Sequence, residues 1–148
     1  MLTNFCNHFR PLGLTLLRLA LGVVFLYHGL VKLNALPAWQ HNFVHMGFPA
    51  YFAYISGPLE TVGGGLLILG LFSRIFGLLL AGELLIALVK VHLPSGPITN
   101  VSGYQLPMLL SAGAFLIFCF GAGPISFDAL LFGNKGGGGG GKRYKAAA

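Results

Sequence analysis

Residues 14–33, LTLLRLALGVVFLYHGLVKL, decide how the chain is to be read. The stretch has about the 20 residues that a helix needs to cross roughly 30 Å of hydrocarbon. Arg18, His28 and Lys32 lie inside it rather than beside it. A charge at the centre of a bilayer costs at least ~2.5–3.5 kcal/mol on insertion scales, so it is rarely kept without a partner or a task. A secretory signal peptide is a competing reading, but Arg18 within the apolar run and the further apolar stretches downstream favour an uncleaved helix.

Three more stretches follow, at about residues 51–71, 75–92 and 104–120, and the second and third also hold ionisable groups: Glu60, then Glu83, Lys90 and His92. Only 8% of the 148 residues are charged and the mean hydropathy is +0.80, whereas a soluble domain is about a quarter charged. Lipid is therefore the expected solvent. The expected fold is all-α, a four-transmembrane-helix bundle in residues 1–132, with 133–148 a flexible glycine-rich basic tail. The net charge of +6 does not point to nucleic acid, because the basic residues are scattered at helix ends apart from Lys142, Arg143 and Lys145. Cys6 and Cys119 are far apart and outline neither a disulfide framework nor a metal site.

The connections set the topology. Residues 34–49, with Trp39, His41, His45 and two prolines, read as an interfacial segment. Pro58 either kinks the second span or opens a new helix capped by Gly57, which would place Glu60 in a first turn where a carboxylate suits the dipole. The short turn at 72–74 makes the second and third spans antiparallel neighbours, and Pro94-Ser95-Gly96-Pro97 marks a loop on the other side. Residues 125–132, with Asp128, form a short interfacial segment. Arg10, Arg18, Arg74, Lys135, Lys142, Arg143 and Lys145 fall on one side and Lys32 and Lys90 on the other, so both termini are expected in the cytoplasm.

Helical spacing decides which charges can meet. Arg18, Phe25 and Lys32 are seven apart and share a face flanked by Gly22 and Gly29, with His28 close to it. Ser56, Glu60, Gly63 and Gly64 share a face of the second span, where a neighbouring helix could approach closely. Glu83, Ala87 and Lys90 form a stripe on the third. Glu60 and Glu83 set between Lys32 and Lys90 would leave the bundle nearly neutral, although each lysine could instead snorkel to the interface. Glu83, in mid-span, cannot snorkel. It must be protonated, paired, or facing a cavity, with a structural salt bridge as the main competitor. His28 and His92 could ligate a haem, but no C-x-x-C-H accompanies them, and zinc would want further ligands. No built-in metal or cofactor is expected. No Walker loop, dinucleotide fingerprint or nucleophile elbow is present, and Gly63-Gly64-Gly65 reads as helix packing.

The ordered set Arg18, Gly22, Phe25-x-x-His28-Gly29-x-x-Lys32-Leu33, Gly47-Phe48-Pro49, Glu60 with Gly63-Gly64, Leu69-Gly70-Leu71 with Arg74, Glu83, His92 and Gly121-x-Gly123-Pro124-x-Ser126-x-Asp128 resembles the DoxX family of small bacterial membrane proteins. The resemblance runs from about residue 14 to 132. It implies a four-helix protein of the cell inner membrane, some of whose relatives form the small subunit of a thiosulfate:quinone oxidoreductase while others are linked to oxidative stress and thiol or quinone toxicity. The family positions it carries over are Arg18, His28, Lys32, Glu60, Glu83 and His92.

Three functions follow as expectations. In the first, a membrane component of a redox system binds a quinone at the polar cluster, or anchors a soluble oxidoreductase. Glu83 and Glu60 would then be the acid–base groups, and Arg18, His28, Lys32, Lys90 and His92 the binding groups. The second is a small proton-coupled transporter, commonly a homo-oligomer, using Glu83 and the broken helix at Pro58. The third is a scaffold whose charges only fix helix register.

Overall fold

The computed structural model describes the backbone of residues 2–93 and 104–132, with the side chains of these except residues 2–8, 10, 92 and 132. Among the described residues all regular structure is helical: α1 (Leu2–Asn34), α2 (Leu36–His45), α3 (Phe52–Leu69), α4 (Ser73–Ala87), α5 (Leu106–Phe120) and α6 (Phe127–Phe132). Two segments, Pro11–Asn34 and Phe52–Leu69, are long and apolar enough to cross a membrane, and Leu106–Phe120 is a shorter apolar helix. From α4 the chain continues through a π-helical turn, Leu88–His92, so the helical run reaches from residue 73 to 92.

Several boundaries differ from the sequence reading for local reasons. The segment at 34–49 is not wholly irregular: Pro37 sits in the first turn of α2, where its missing N–H is no loss. Pro58 does not open a new helix. It lies inside α3, so Glu60 stands in mid-helix, away from the first turn. One turn on from Gly57, the Thr61 hydroxyl donates back to the Gly57 carbonyl at 2.8 Å. The loop at 94–97 and the tail at 133–148 lie outside the described residues.

Glycine governs how the helices meet. α1 packs most extensively on α3, and α4 on α5. A Cβ on Gly64 would overlap the backbone of Leu26, and one on Gly22 would lie 2.8 Å from the Gly64 carbonyl oxygen. Gly29 meets Thr61 as closely, and Gly77 meets Ala114 and Phe118 at about 3 Å. Backbone contact of this kind is open only to residues without a side chain. Of the glycine triplet, Gly63 faces Leu80 and Phe76, Gly64 faces α1, and Gly65 faces open space. Leu21, Phe25, Leu67, Leu80, Ala114 and Ile117 fill the core where the two helix pairs join.

The outer faces are apolar too, with Leu16, Val23, Val62, Ile75 and Leu109 all more than half exposed. Contiguous apolar surface of that extent suits lipid and would aggregate in water.

A latch closes one end. Arg18, 3% exposed, donates to the carbonyls of Ala122 (2.6 Å) and Ile125 (3.0 Å). Asp128 accepts from the N–H groups of Phe72 (2.8 Å) and Ser73 (3.1 Å) at the start of α4, while its own N–H donates to the Gly70 carbonyl at 2.9 Å. The α3–α4 turn this holds is tight, with both Gly70 and Phe72 at positive φ. Gly64→Leu is expected to cost about 1–3 kcal/mol by overpacking, whereas Gly65→Ala gains up to about 1 kcal/mol of helix propensity. Thermal unfolding of the two variants in detergent checks the contrast.

Candidate functional site

Away from the latch, α1, α3 and α4 bring three of the ionisable groups together. The Lys32 ammonium stands 2.7 Å from Glu60 Oε2 and donates to the Ser56 hydroxyl at 2.6 Å. Lys32 and Glu60 side chains are 12% and 4% exposed. Their pairing rests on the α1–α3 glycine contact, since Gly29 lies against the backbone of Glu60 and Thr61. Ser56 and Glu60 are one helical turn apart on the same face of α3, so both can meet one ammonium.

Glu83 approaches from α4. Ser56 is its hydrogen-bonding neighbour, and the charges of Glu60 and Lys32 are within electrostatic range. Its Oε2 is buried and meets no hydrogen-bond partner among the described residues. Two carboxylates and one ammonium thus converge, so the cluster holds one acid group more than it holds base. A proton or a hydrogen-bond donor at Glu83 would satisfy it.

These groups form the floor of a pocket of about 470 Å³ between α3 and α4. Phe43, Phe48 and Phe52 wall one end, their rings in contact at centroid separations of 5.2–6.5 Å. Ile55, Leu78, Leu79 and Ile86 line the other side and are themselves about half exposed. The pocket therefore opens sideways, through the apolar outer face of the bundle, rather than only toward one end. α2 covers the ammonium: the Trp39 and Phe43 rings lie 5.5 and 5.8 Å from Lys32 Nζ, within cation–π range.

The remaining candidates sit elsewhere. Lys90 is exposed on the π-helical turn with its ammonium 5.4 Å over the Phe48 ring, at the rim of the pocket, and is not paired with an acid among the described residues. Arg18 belongs to the latch, fourteen residues from Lys32 along α1 and so about 21 Å away by helical rise. His28 is half-buried with its ring edge-on to Tyr27 and does not line the pocket. The side chain of His92 lies outside the described residues. Sequence reasoning missed the aromatic wall. The signal was there in Phe43, Phe48 and Phe52 flanking Gly47 and Pro49, but an irregular segment gave no face on which to place them. No group of three or more His, Cys, Asp or Glu side chains arranged to hold a metal ion occurs among the described residues.

Residues 13–93 match the sequence model of the DoxX family. A Bacillus subtilis protein named "Putative oxidoreductase CatD" is 32% identical over 124 residues, covering 84% of this chain and 90% of that protein. An uncharacterized Haemophilus influenzae protein is 33% identical over 136 residues, covering 87% of this chain and 98% of its own length. No solved structure matches the chain.

A buried ion pair behaves asymmetrically on mutation. Lys32→Met leaves Glu60 without its counter-charge and is expected to cost about 3–5 kcal/mol. Lys32→Met with Glu60→Leu removes both charges and is expected to recover most of that loss. Unfolding of the single and double variants in one detergent measures the difference.

Proposed function

Since the chain belongs to the DoxX family, we propose that it is a multi-pass protein of the cell inner membrane that serves a redox system by binding a quinone in the pocket between α3 and α4. The membrane topology of this reading has four crossings: α1, α3, α4 with its π-helical continuation, and α5. Both termini lie in the cytoplasm. Arg18 of the latch and Arg74 at the start of α4 then face the cytoplasm, and Lys32 and Lys90 lie toward the outer leaflet.

One observation carries the proposal: the pocket joins an apolar, laterally open entrance to a floor of Lys32, Ser56, Glu60 and Glu83. A quinone is a flat ring with two carbonyl acceptors on an apolar tail, and it travels within the bilayer. Its tail suits the entrance lined by Ile55, Leu79 and Ile86, and its ring suits the phenylalanine wall. Lys32 supplies an N–H donor for a carbonyl oxygen. Glu83, when protonated, supplies an O–H donor from the carboxyl that otherwise lacks a partner.

Reducing a quinone to a quinol takes two electrons and two protons. Glu83 delivers one proton to a carbonyl oxygen and is reprotonated for the second from the Lys32 ammonium through the Ser56 hydroxyl, water then restoring the lysine's proton. The electrons come from a soluble oxidoreductase partner docked on the membrane, which suits the oxidoreductase name borne by the Bacillus subtilis relative. The chain's own role is to position the ring, exclude water and manage protons.

The test is the quinone content of protein extracted from native membranes in mild detergent, with Glu83→Leu, which has no hydrogen-bond donor, prepared in parallel. The expected result is near-stoichiometric quinone in the parent and about a tenfold lower content in the folded variant, the loss of one hydrogen bond to the ligand. Absence of quinone from both contradicts the proposal.

A further inference from the structure

The charges at the floor of the α3–α4 pocket do not balance. Lys32 stands 2.7 Å from Glu60 and donates to Ser56, so its positive charge is already matched. With Glu83 protonated the floor is neutral and suits a neutral acceptor such as a quinone. With Glu83 ionised, two carboxylates face one ammonium, and a negative charge is left over. The Oε2 atom of Glu83 is buried and has no hydrogen-bond partner among the described residues. An unmatched charge inside an apolar bundle needs a counter-ion.

The walls decide which cation could supply it. Phe43, Phe48 and Phe52 line the same pocket as Glu83, and aromatic faces attract ammonium groups. The protein's own side chains show that these rings accept such a group. The Lys32 ammonium lies 5.8 Å from the Phe43 centroid, and that of Lys90 lies 5.4 Å from the Phe48 centroid. Lys90 is exposed at the rim on a flexible chain, so its head can withdraw to the interface and leave Phe48 free. A hard metal ion fits poorly, since two carboxylates and one hydroxyl among phenylalanine rings fall short of the about six or more oxygen ligands it takes. The entrance is apolar too, with Ile55, Leu79 and Ile86 about half exposed on the outer face. A ligand arriving by that route must first dissolve in the bilayer.

We propose that the pocket also binds lipophilic organic cations, a quaternary ammonium or phosphonium head on an apolar body, with the head between Glu83 and the phenylalanine wall. Coulomb attraction to the carboxylate and cation–π attraction to the rings act together there. The cation takes the place of the Glu83 proton, so cation and quinone select opposite protonation states of one side chain. The proposal rests on the pocket and not on the quinone reading.

The experiment measures binding of tetraphenylphosphonium to the full chain in quinone-free lipid nanodiscs, with empty nanodiscs as background. Tetraphenylborate, an anion of nearly the same size and shape, is the control. The expected result is saturable binding of one phosphonium per chain and no saturable binding of the borate. Glu83→Gln keeps an N–H donor for a quinone carbonyl but loses the charge. It should weaken phosphonium binding at least about tenfold, while its quinone content on extraction from native membranes stays at the parent's level. Lys90→Met removes a competing ammonium and should strengthen phosphonium binding about twofold or more, a gain that misfolding cannot produce. Equal binding of the two ions, or unchanged phosphonium affinity in Glu83→Gln, overturns the proposal. Quinone content is measured apart, so failure with one ligand class leaves the result for the other standing.

Discussion

The close approach of α1 and α3 is the constraint from which the polar site follows. Gly22 and Gly29 on one helix, and Gly64 on the other, let two backbones touch where any side chain would hold them apart. At that separation Lys32 can reach both Glu60 and Ser56 without extending to water. A wider crossing would leave a carboxylate and an ammonium buried in an apolar bundle, each with a desolvation cost of several kcal/mol and no partner to offset it. The ion pair is thus a consequence of glycine packing, and it in turn ties the two helices in one register.

The pair leaves Glu83 with little counter-charge of its own. Lys32 is already engaged, and Glu60 adds a second negative group nearby. An arrangement that only fixed helix register would match charge for charge and fill the space beside it with apolar side chains. Instead a pocket of about 470 Å³ adjoins the carboxyl and opens through the outer face of the bundle. Excess acid, enclosed space and a lateral entrance occur together, which is why a membrane-soluble ligand with hydrogen-bond acceptors is favoured over a purely structural role. The latch at the far end completes the division of labour. Arg18 and Asp128 secure carbonyls and helix N–H groups there and do not face the pocket.

Helix content and the glycine packing face were legible in the sequence, because both follow from the 3.6-residue period; that Lys32 meets Glu60 and Glu83 was not, because a period assigns a face to a residue and does not say which helices lie side by side. The seven-residue spacing of Arg18, Phe25 and Lys32 correctly put them on an inward face, but depth separated Arg18 from the rest. Its true partners are the carbonyls of Ala122 and Ile125, and backbone acceptors leave no mark in a sequence. Lys90 was placed on the right stripe, yet the π-helical turn rotates the end of that stripe, and its ammonium rests over Phe48 instead of an acid. Pro58 misled most. A proline in mid-span suggests a break, whereas α3 runs through it and carries Glu60 deeper than a first-turn position would. The aromatic wall became visible only in the structure, where α2 sets Phe43 against Phe48 and Phe52.

The chain has a single tryptophan, Trp39, and its ring lies 5.5 Å from the Lys32 ammonium at the covered end of the pocket. Quinones quench indole fluorescence at short range, so this residue reports directly on whether the pocket is filled. The decisive measurement is a titration of Trp39 emission with a quinone in lipid nanodiscs holding the full chain. Binding at the polar floor predicts quenching that saturates at one quinone per chain and is reversed by a competing quinone that does not quench. Quenching that rises linearly with quinone in the lipid, with no saturation, would mean random collision in the bilayer and would contradict a bound site.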